Sequence, residues 1–361
     1  MVRQISLGLL CLAGSFTVKA QSQDSTHVDK KVKINLFPVA FYSPESRFGF
    51  GALATGIFNL GDPKDTRVSN VQTLGAYTIN DQVIFQVKNN IFLKDESYAF
   101  FGELSYFDFP IFYYGIGNDS KEENEEDLDY KVISFEQRVL KKITEYHFAG
   151  FNYSGVRVFD LKFEPQFLIE DLEQLESDVG LYSGLGLSYI YDSRDNLLNA
   201  FEGNFLEVST LFNGDLTGSD FTFARYRLDA RKYWKLKDDH ILAAQFLGVF
   251  TEGDVPFREI ALLGGDQIMR GYYRGRFRDK NQLAAQVEYR RQIITWLGVV
   301  VFGAMGDVAR SVDSFSLGDF KWAGGGGLRL MINEKDRLNV RVDYGIGKDT
   351  SGLYFGLSES F

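Results

Sequence analysis

From Leu338 to Gly347 the chain alternates without a break, with Leu338, Val340, Val342, Tyr344 and Ile346 set against Asn339, Arg341, Asp343, Gly345 and Gly347. A period of two is that of a β-strand, whose successive side chains point to opposite faces. Residues 282–293 repeat it, and only Arg291 breaks their apolar face. Residues 221–235 repeat it again: Ala224, Tyr226, Leu228 and Ala230 oppose Arg225, Arg227, Asp229 and Arg231. A soluble sheet does not bury three arginines and an aspartate in its hydrophobic interior. One face of such strands must therefore meet water or a polar plug while the other meets an apolar surrounding. An outer-membrane barrel satisfies both, and a soluble β-sandwich or solenoid is the competing all-β architecture.

About sixteen such segments run from 35–42 to 353–361. Short turns at Asn80-Asp81 and Thr144-Glu145 alternate with long connections at 110–129, 162–179 and 262–280. An even number of strands about ten residues long, joined alternately by short and long connections, predicts a transmembrane antiparallel β-barrel. Composition agrees: 33 Phe, 19 Tyr and 36 Gly accompany 24% charged residues. The net charge of −10 argues against a nucleic-acid partner, which calls for a basic surface.

Residues 1–20 carry Arg3, an apolar run from Ile5 to Val18 and a small residue at Ala20, the pattern of a secretory signal peptide. Cys11 lies within it, preceded by Leu10 where a lipoprotein signal needs a small residue, and it is the only cysteine. The mature chain is thus expected to be free of cysteine and stabilised without disulfides. Residues 21–33 read as a short polar periplasmic tail, and 34–361 as the barrel domain.

The connection at 262–280, L-L-G-G-D-Q-I-M-R-G-Y-Y-R-G-R-F-R-D-K, is unlike the rest. Its glycines and basic residues follow no period, so it reads as a long loop, and loops of this length are usually functional or disordered. Ile268, Met269, Tyr272, Tyr273 and Phe277 call for burial. A loop that is both cationic and packed needs a polar enclosure with acidic walls, such as the lumen of a barrel.

Here the residues carry a resemblance. Gly264-Gly265 followed by Arg270-Gly271-Tyr272, then Glu288-Tyr289-Arg290, then Val300-Val301-Phe302 with Gly306, is similar to the BamA/TamA family of bacterial surface-antigen barrels. Asp192-Ser193-Arg194-Asp195-Asn196 with Glu202-Gly203 resembles that family's D-x-R-D-N…G segment, with Ala200-Phe201 where a proline is usual. Phe41-Tyr42-Ser43-Pro44-Glu45, with Gly49 and Gly51, resembles the start of such barrels. The resemblance implies that the extracellular loop folds into the lumen as a latch made by Arg270, Gly271, Tyr272, Gly264 and Gly265. It also implies a seam between first and last strands that opens to let a client strand or lipid pass sideways.

Two departures stand out. The family's periplasmic POTRA repeats are not expected, since only about a dozen polar residues precede the first strand. The wall segment F-x-D-x-G reads Phe302-Gly303-Ala304-Met305-Gly306, without its acid. Arg270 then needs another carboxylate, and Glu288, beside Arg290, points inward by alternation. Asp343 and Asp229 are inward by the same parity, whereas Asp307 is expected at the rim or toward lipid. The last residues resemble the C-terminal signal of outer-membrane proteins, with Leu353, Phe355, Leu357 and Phe361 sharing a face.

Chemistry has little purchase elsewhere. His27, His147 and His240 are the only histidines, so a Ser-His-acid set would have to form around one rim residue, and no enzyme, cofactor or metal site is expected. The acidic run 121–129 reads as a solvated loop, and Gly324 to Gly327 as a place where the wall bends or the plug approaches. The expected partners are outer-membrane lipids and lipopolysaccharide, the barrel-assembly machinery for the chain's own insertion, and separate periplasmic proteins. Insertion or translocation is the first function class, and a plugged pore or structural barrel within a complex is the second.

Overall fold

A computed structural model describes residues 10–11, 16–18, 32–43, 47–163, 177–334 and 337–361. Apart from those short pieces, the expected leader and tail lie outside the described residues, as does most of the expected loop at 162–179. Sixteen long strands follow one another as an antiparallel meander. They are β1 (Lys33–Ser43), β2 (Arg47–Phe58), β3 (Ser69–Thr78), β4 (Val83–Phe92), β5 (Tyr98–Asp108), β6 (Glu126–Lys142), β7 (His147–Phe163) and β8 (Leu181–Asp192). The second half holds β9 (Gly203–Asn213), β10 (Phe223–Lys237), β11 (His240–Gly253), β12 (Asn281–Ile294), β13 (Leu297–Ala309), β14 (Lys321–Asn333), β15 (Leu338–Gly347) and β16 (Thr350–Leu357). Each pairs with its neighbours in sequence, from β1 with β2 through to β15 with β16. No described helix is long and apolar enough to cross a membrane.

Burial is inverted relative to a soluble sheet. In β15, Asn339, Arg341 and Asp343 are buried while Tyr344 and Ile346 are exposed by 43% and 46%. In β12, Gln282, Gln286, Glu288 and Arg290 are buried and Val287 is exposed. The sheet curls onto this charged face, because ion pairs cross between distant strands. Arg67, ahead of β3, lies 3.5 Å from Asp192 at the end of β8, and Arg138 of β6 lies 2.7 Å from Glu207 of β9. Arg337, ahead of β15, reaches Asp195 beyond β8 at 2.6 Å. Bare apolar surface outside and hydrogen-bonded charge inside is the arrangement hydrocarbon selects.

The interior is filled unevenly. Along β11 to β15 the connection 254–280 packs on the inner face through Leu263, Ile268, Met269, Tyr272 and Phe277, against Leu247, Ala284, Val308 and Ala323. Between β3 and β9 a cavity of about 230 Å³ remains, lined by residues including Arg67, Phe92, Arg138, Phe148 and Phe205.

Two expectations are corrected here. The strand placed at 353–361 ends at Leu357, because Ser358 takes a left-handed φ of 66° and turns the last residues inward. The acidic run is only partly loop: a short turn at Glu122–Asn124 leads into β6, which begins at Glu126.

The two edges of the meander are not symmetrical. Among the described residues no ladder joins β16 to β1. The edge of β1 instead pairs antiparallel with two pieces of the N-terminal segment, Leu10–Cys11 opposite Val39 and Ala40, and Phe16–Val18 opposite Ile34 to Leu36.

Candidate functional site

The connection between β11 and β12 has structure of its own: Ala261–Leu263 pairs with Phe277–Asp279 as a small hairpin. Its tip comes down onto the inner face of β12 to β16. Gly264 and Gly265 sit at the neck with φ of 110° and 115°, and the Gly265 amide donates to the Tyr272 carbonyl at 3.1 Å. Gly271 is held by backbone-level contacts, its amide donating to the Tyr354 hydroxyl at 2.8 Å and its carbonyl accepting from Thr350 at 3.1 Å. A Cβ on Gly345 of β15 would stand 2.5 Å from the Arg270 carbonyl, so this approach requires glycine in the wall. The Tyr272 hydroxyl donates to the Trp322 carbonyl at 3.1 Å and accepts from the Lys348 amide at 2.9 Å.

The neighbouring connection, 109–125, covers the same end. Phe112 donates its amide to the Tyr273 hydroxyl at 3.2 Å, Arg276 donates to Ser120 at 3.0 Å, and the Gly117 amide donates to the Arg278 carbonyl at 2.8 Å. Arg278 is buried with its guanidinium 4.6 Å from the Tyr113 ring centroid. Burial holds Arg276 and Arg278 below the usual arginine range. Burial, followed by a hydrogen bond to Glu125, raises the Tyr114 phenol.

Beneath the tip lies a closed ring of alternating charge. Arg270 pairs with Glu288 and, at 2.6 Å, with Asp343. Glu288 also accepts from Arg290 at 2.9 Å. Arg290 lies 3.7 Å from Glu359, which accepts from Arg329 at 2.7 Å. Arg329 closes the ring on Asp343. The Arg270 guanidinium also lies 3.6 Å over the Phe302 ring, which occupies the segment that lacks the family's acid. Arg341 joins Asp343 at 3.2 Å and the loop's Asp266 at 2.8 Å. A Cβ on Gly327 would sit 1.9 Å from the Asp343 carboxylate, so the glycine run in β14 makes room for the ring. Each buried charge thus faces opposite charge on two sides, which offsets the desolvation that an isolated ion would suffer.

The structure therefore brings together Arg270, Gly271, Tyr272, Glu288 and Arg290. Asp343 joins them as a second acid on Arg270. Phe361 is elsewhere than expected. It does not share the outer face of Phe355 and Leu357 but is buried inside with Ala200, Tyr233 and Ala243, its terminal oxygen accepting from Arg290 at 3.0 Å. Asp307 is at the strand end as expected of a rim residue, yet it is buried under the 109–125 connection and accepts from Asn118 at 3.3 Å. Alternation fails there because Gly306 to Ala309 are all covered.

Arg329, Tyr354, Glu359 and Ser360 were not singled out by the sequence. Alternation alone could have found Arg329. In the D-x-R-D-N segment, Asp192 takes Arg194 at 2.8 Å, and Asn196 accepts the amides of Leu198 and Asn199. With the Asp195–Arg337 pair, these contacts shape the 193–202 turn. His147 and His240 pair with Tyr189 and Tyr289 of neighbouring strands.

A curled antiparallel sheet with an apolar exterior, a charged interior and a docked arginine loop defines an outer-membrane β-barrel. The chain belongs to the Omp85 superfamily: residues 75–361 match the Omp85 superfamily domain. Among solved structures it is similar to BamA from Haemophilus ducreyi lacking POTRA domains 1–3, with a TM-score of 0.59 and 12% identity over 96% of this chain and 75% of that one. CdiB from Escherichia coli gives a TM-score of 0.63 and 9% identity over 97% of this chain and 68% of that one. Identities this low speak for the fold. No curated protein matches by sequence. The protein is thus a bacterial outer-membrane protein of the Omp85 superfamily.

Proposed function

We propose that the protein inserts or translocates polypeptide or lipid at the seam between β1 and β16, as the BamA/TamA resemblance implies. The observation that carries this is the edge of β1, which pairs with Leu10–Cys11 and Phe16–Val18 rather than with β16 among the described residues. An unpaired strand edge is a template for a further antiparallel strand, and in hydrocarbon its backbone groups must find partners. Those two pieces occupy the edge a client strand would take. The 254–280 connection supports a sideways route, since it takes up space on the inner face of β11 to β14.

In this proposal residues 1–20 are removed as a signal peptide, 21–33 form the periplasmic tail, and the 109–125 and 254–280 connections face the cell exterior. Periplasmic handling of clients falls to separate chains, and lipopolysaccharide and phospholipid surround the wall. Depletion followed by an inventory of outer-membrane proteins tests it: selective loss of other barrels is expected. An unchanged inventory, with no client cross-linked to a photoreactive residue at Ala40, overturns it. The second reading, a plugged pore, is favoured by the docked loop itself. It predicts single-channel conductance that rises when residues 262–280 are removed.

A further inference from the structure

We propose that the C-terminal tail, Glu359 to Phe361, is a lock on the 254–280 loop, so that the end of β16 and the loop tip are released together. Both hold the same ring from opposite sides. Arg270 enters it from the loop, and Glu359 enters it from the tail as the third acid, shared by Arg329 at 2.7 Å and Arg290 at 3.7 Å. Ser360 donates at 2.9 Å to Oε1 of Glu288, the oxygen that also takes Arg270. Asn339 donates to Glu359 at 2.8 Å, and the Glu359 amide donates to the Leu198 carbonyl at 3.2 Å. The tail is thus anchored across the interior to the turn between β8 and β9.

Charge gives the coupling its sign. With the tail in place, Arg270, Arg290, Arg329 and Arg341 face Asp266, Glu288, Asp343 and Glu359. Withdrawing the tail takes Glu359 from Arg329 and Arg290, and the Phe361 terminal oxygen from Arg290, so that these two arginines then compete with Arg270 for the buried Glu288 and Asp343. An unbalanced buried cation is costly, and Arg270 is the one carried by a loop that can leave. Reciprocity follows, because a coupling free energy acts equally in both directions. Removing Arg270 loosens Glu288 and with it Ser360. A strand pairing along β16 would pull on Ser358, where the chain turns inward with φ 66°. That use of the lock, as a control on passage, rests on the function proposed above, whereas the coupling itself does not.

The test uses the chain from Gln21 onward in lipid vesicles, which carries no native thiol because Cys11 is the only cysteine. Ile268→Cys, buried at the loop tip, reports undocking through its maleimide labelling rate, and Ala99→Cys, buried in β5, reports general loosening. Glu359→Gln is expected to raise labelling at position 268 at least tenfold, and Ser360→Ala about threefold, with position 99 unchanged. Arg270→Gln is expected to speed hydrogen exchange in the 353–361 peptide at least tenfold. A folded Glu359→Gln protein labelled at the wild-type rate, or unchanged tail exchange in Arg270→Gln, overturns the lock. Should Glu359→Gln fail to insert, the Arg270→Gln exchange decides alone. Coupled labelling together with an unchanged outer-membrane inventory overturns the translocation proposal and leaves the lock standing. The opposite pair of results overturns the lock alone.

Discussion

Truncating Glu288 to alanine separates a ring that carries the site from one that merely fills space. Glu288 is fully buried and accepts from Arg270, Arg290 and Ser360. Removing one member of a buried ion pair costs about 3–5 kcal/mol, chiefly through the charge left behind. Here Arg270 keeps Asp343 and Arg290 keeps Glu359, so the cost falls at the lower end, about 3 kcal/mol, or roughly 150-fold in the folding equilibrium. Asp307→Ala is the matched comparison. It removes a carboxylate that is also fully buried but has no cationic partner within ion-pair distance among the described residues, its side-chain hydrogen bond from Asn118 at 3.3 Å being worth about 1 kcal/mol. Equilibrium unfolding in urea from lipid vesicles, followed by tryptophan fluorescence, measures both. Glu288→Ala should shift the midpoint about three times as far as Asp307→Ala and make the loop open to protease. Equal shifts, or a protease-resistant loop in Glu288→Ala, would refute the view that the ring holds the loop.

Three further outcomes are expected. Gly345→Val, whose side chain would collide with the Arg270 backbone 2.5 Å away, should undock the loop at about 1–3 kcal/mol, seen as faster proteolysis within 262–280 in a barrel that still resists heat. Tyr354→Phe strands the Gly271 amide and should cost about 1–3 kcal/mol in the same urea assay, with Tyr344→Phe on the outer face near zero. Asp178, in the connection before β8, accepts the Phe257 amide at 2.7 Å, and burial raises its carboxyl to about 6. A raised acid is protonated more readily folded than unfolded, so stability is greatest below the unfolded value near 4 and falls as pH rises through about 6. Asp178→Asn should abolish that slope when unfolding midpoints are compared between pH 4 and 7.

Much of the wall could be read from alternation, because one lipid-facing and one charged face leave each strand a single register. The same parity placed Glu288, Asp343 and Asp229 inside, and the mixture of arginine with bulky apolar residues marked the connection after β11 as packed. What escaped were the places where the period stops. Glu359 lies two residues past outward-facing Leu357, so parity puts it outside. Only the left-handed turn at Ser358 brings it to Arg329. Asp307 failed for the converse reason, since the last turns of β13 are roofed by another connection. The glycine run in β14 suggested bending or close approach but could not say which groups needed the room, because Phe302 and Asp343 come from the two flanking strands.

The uneven filling of the interior sets how this cylinder responds to force. Along β11 to β15 the wall is braced by a packed loop and a ring of paired charge, whereas β3 to β9 surround a hollow of about 230 Å³. Lateral pressure from the bilayer acts on both sides alike, and the more compliant part yields first. Deformation of the cross-section will therefore concentrate at the short-turn end of β3 to β9, with the loop-packed end acting as the fixed frame about which it moves.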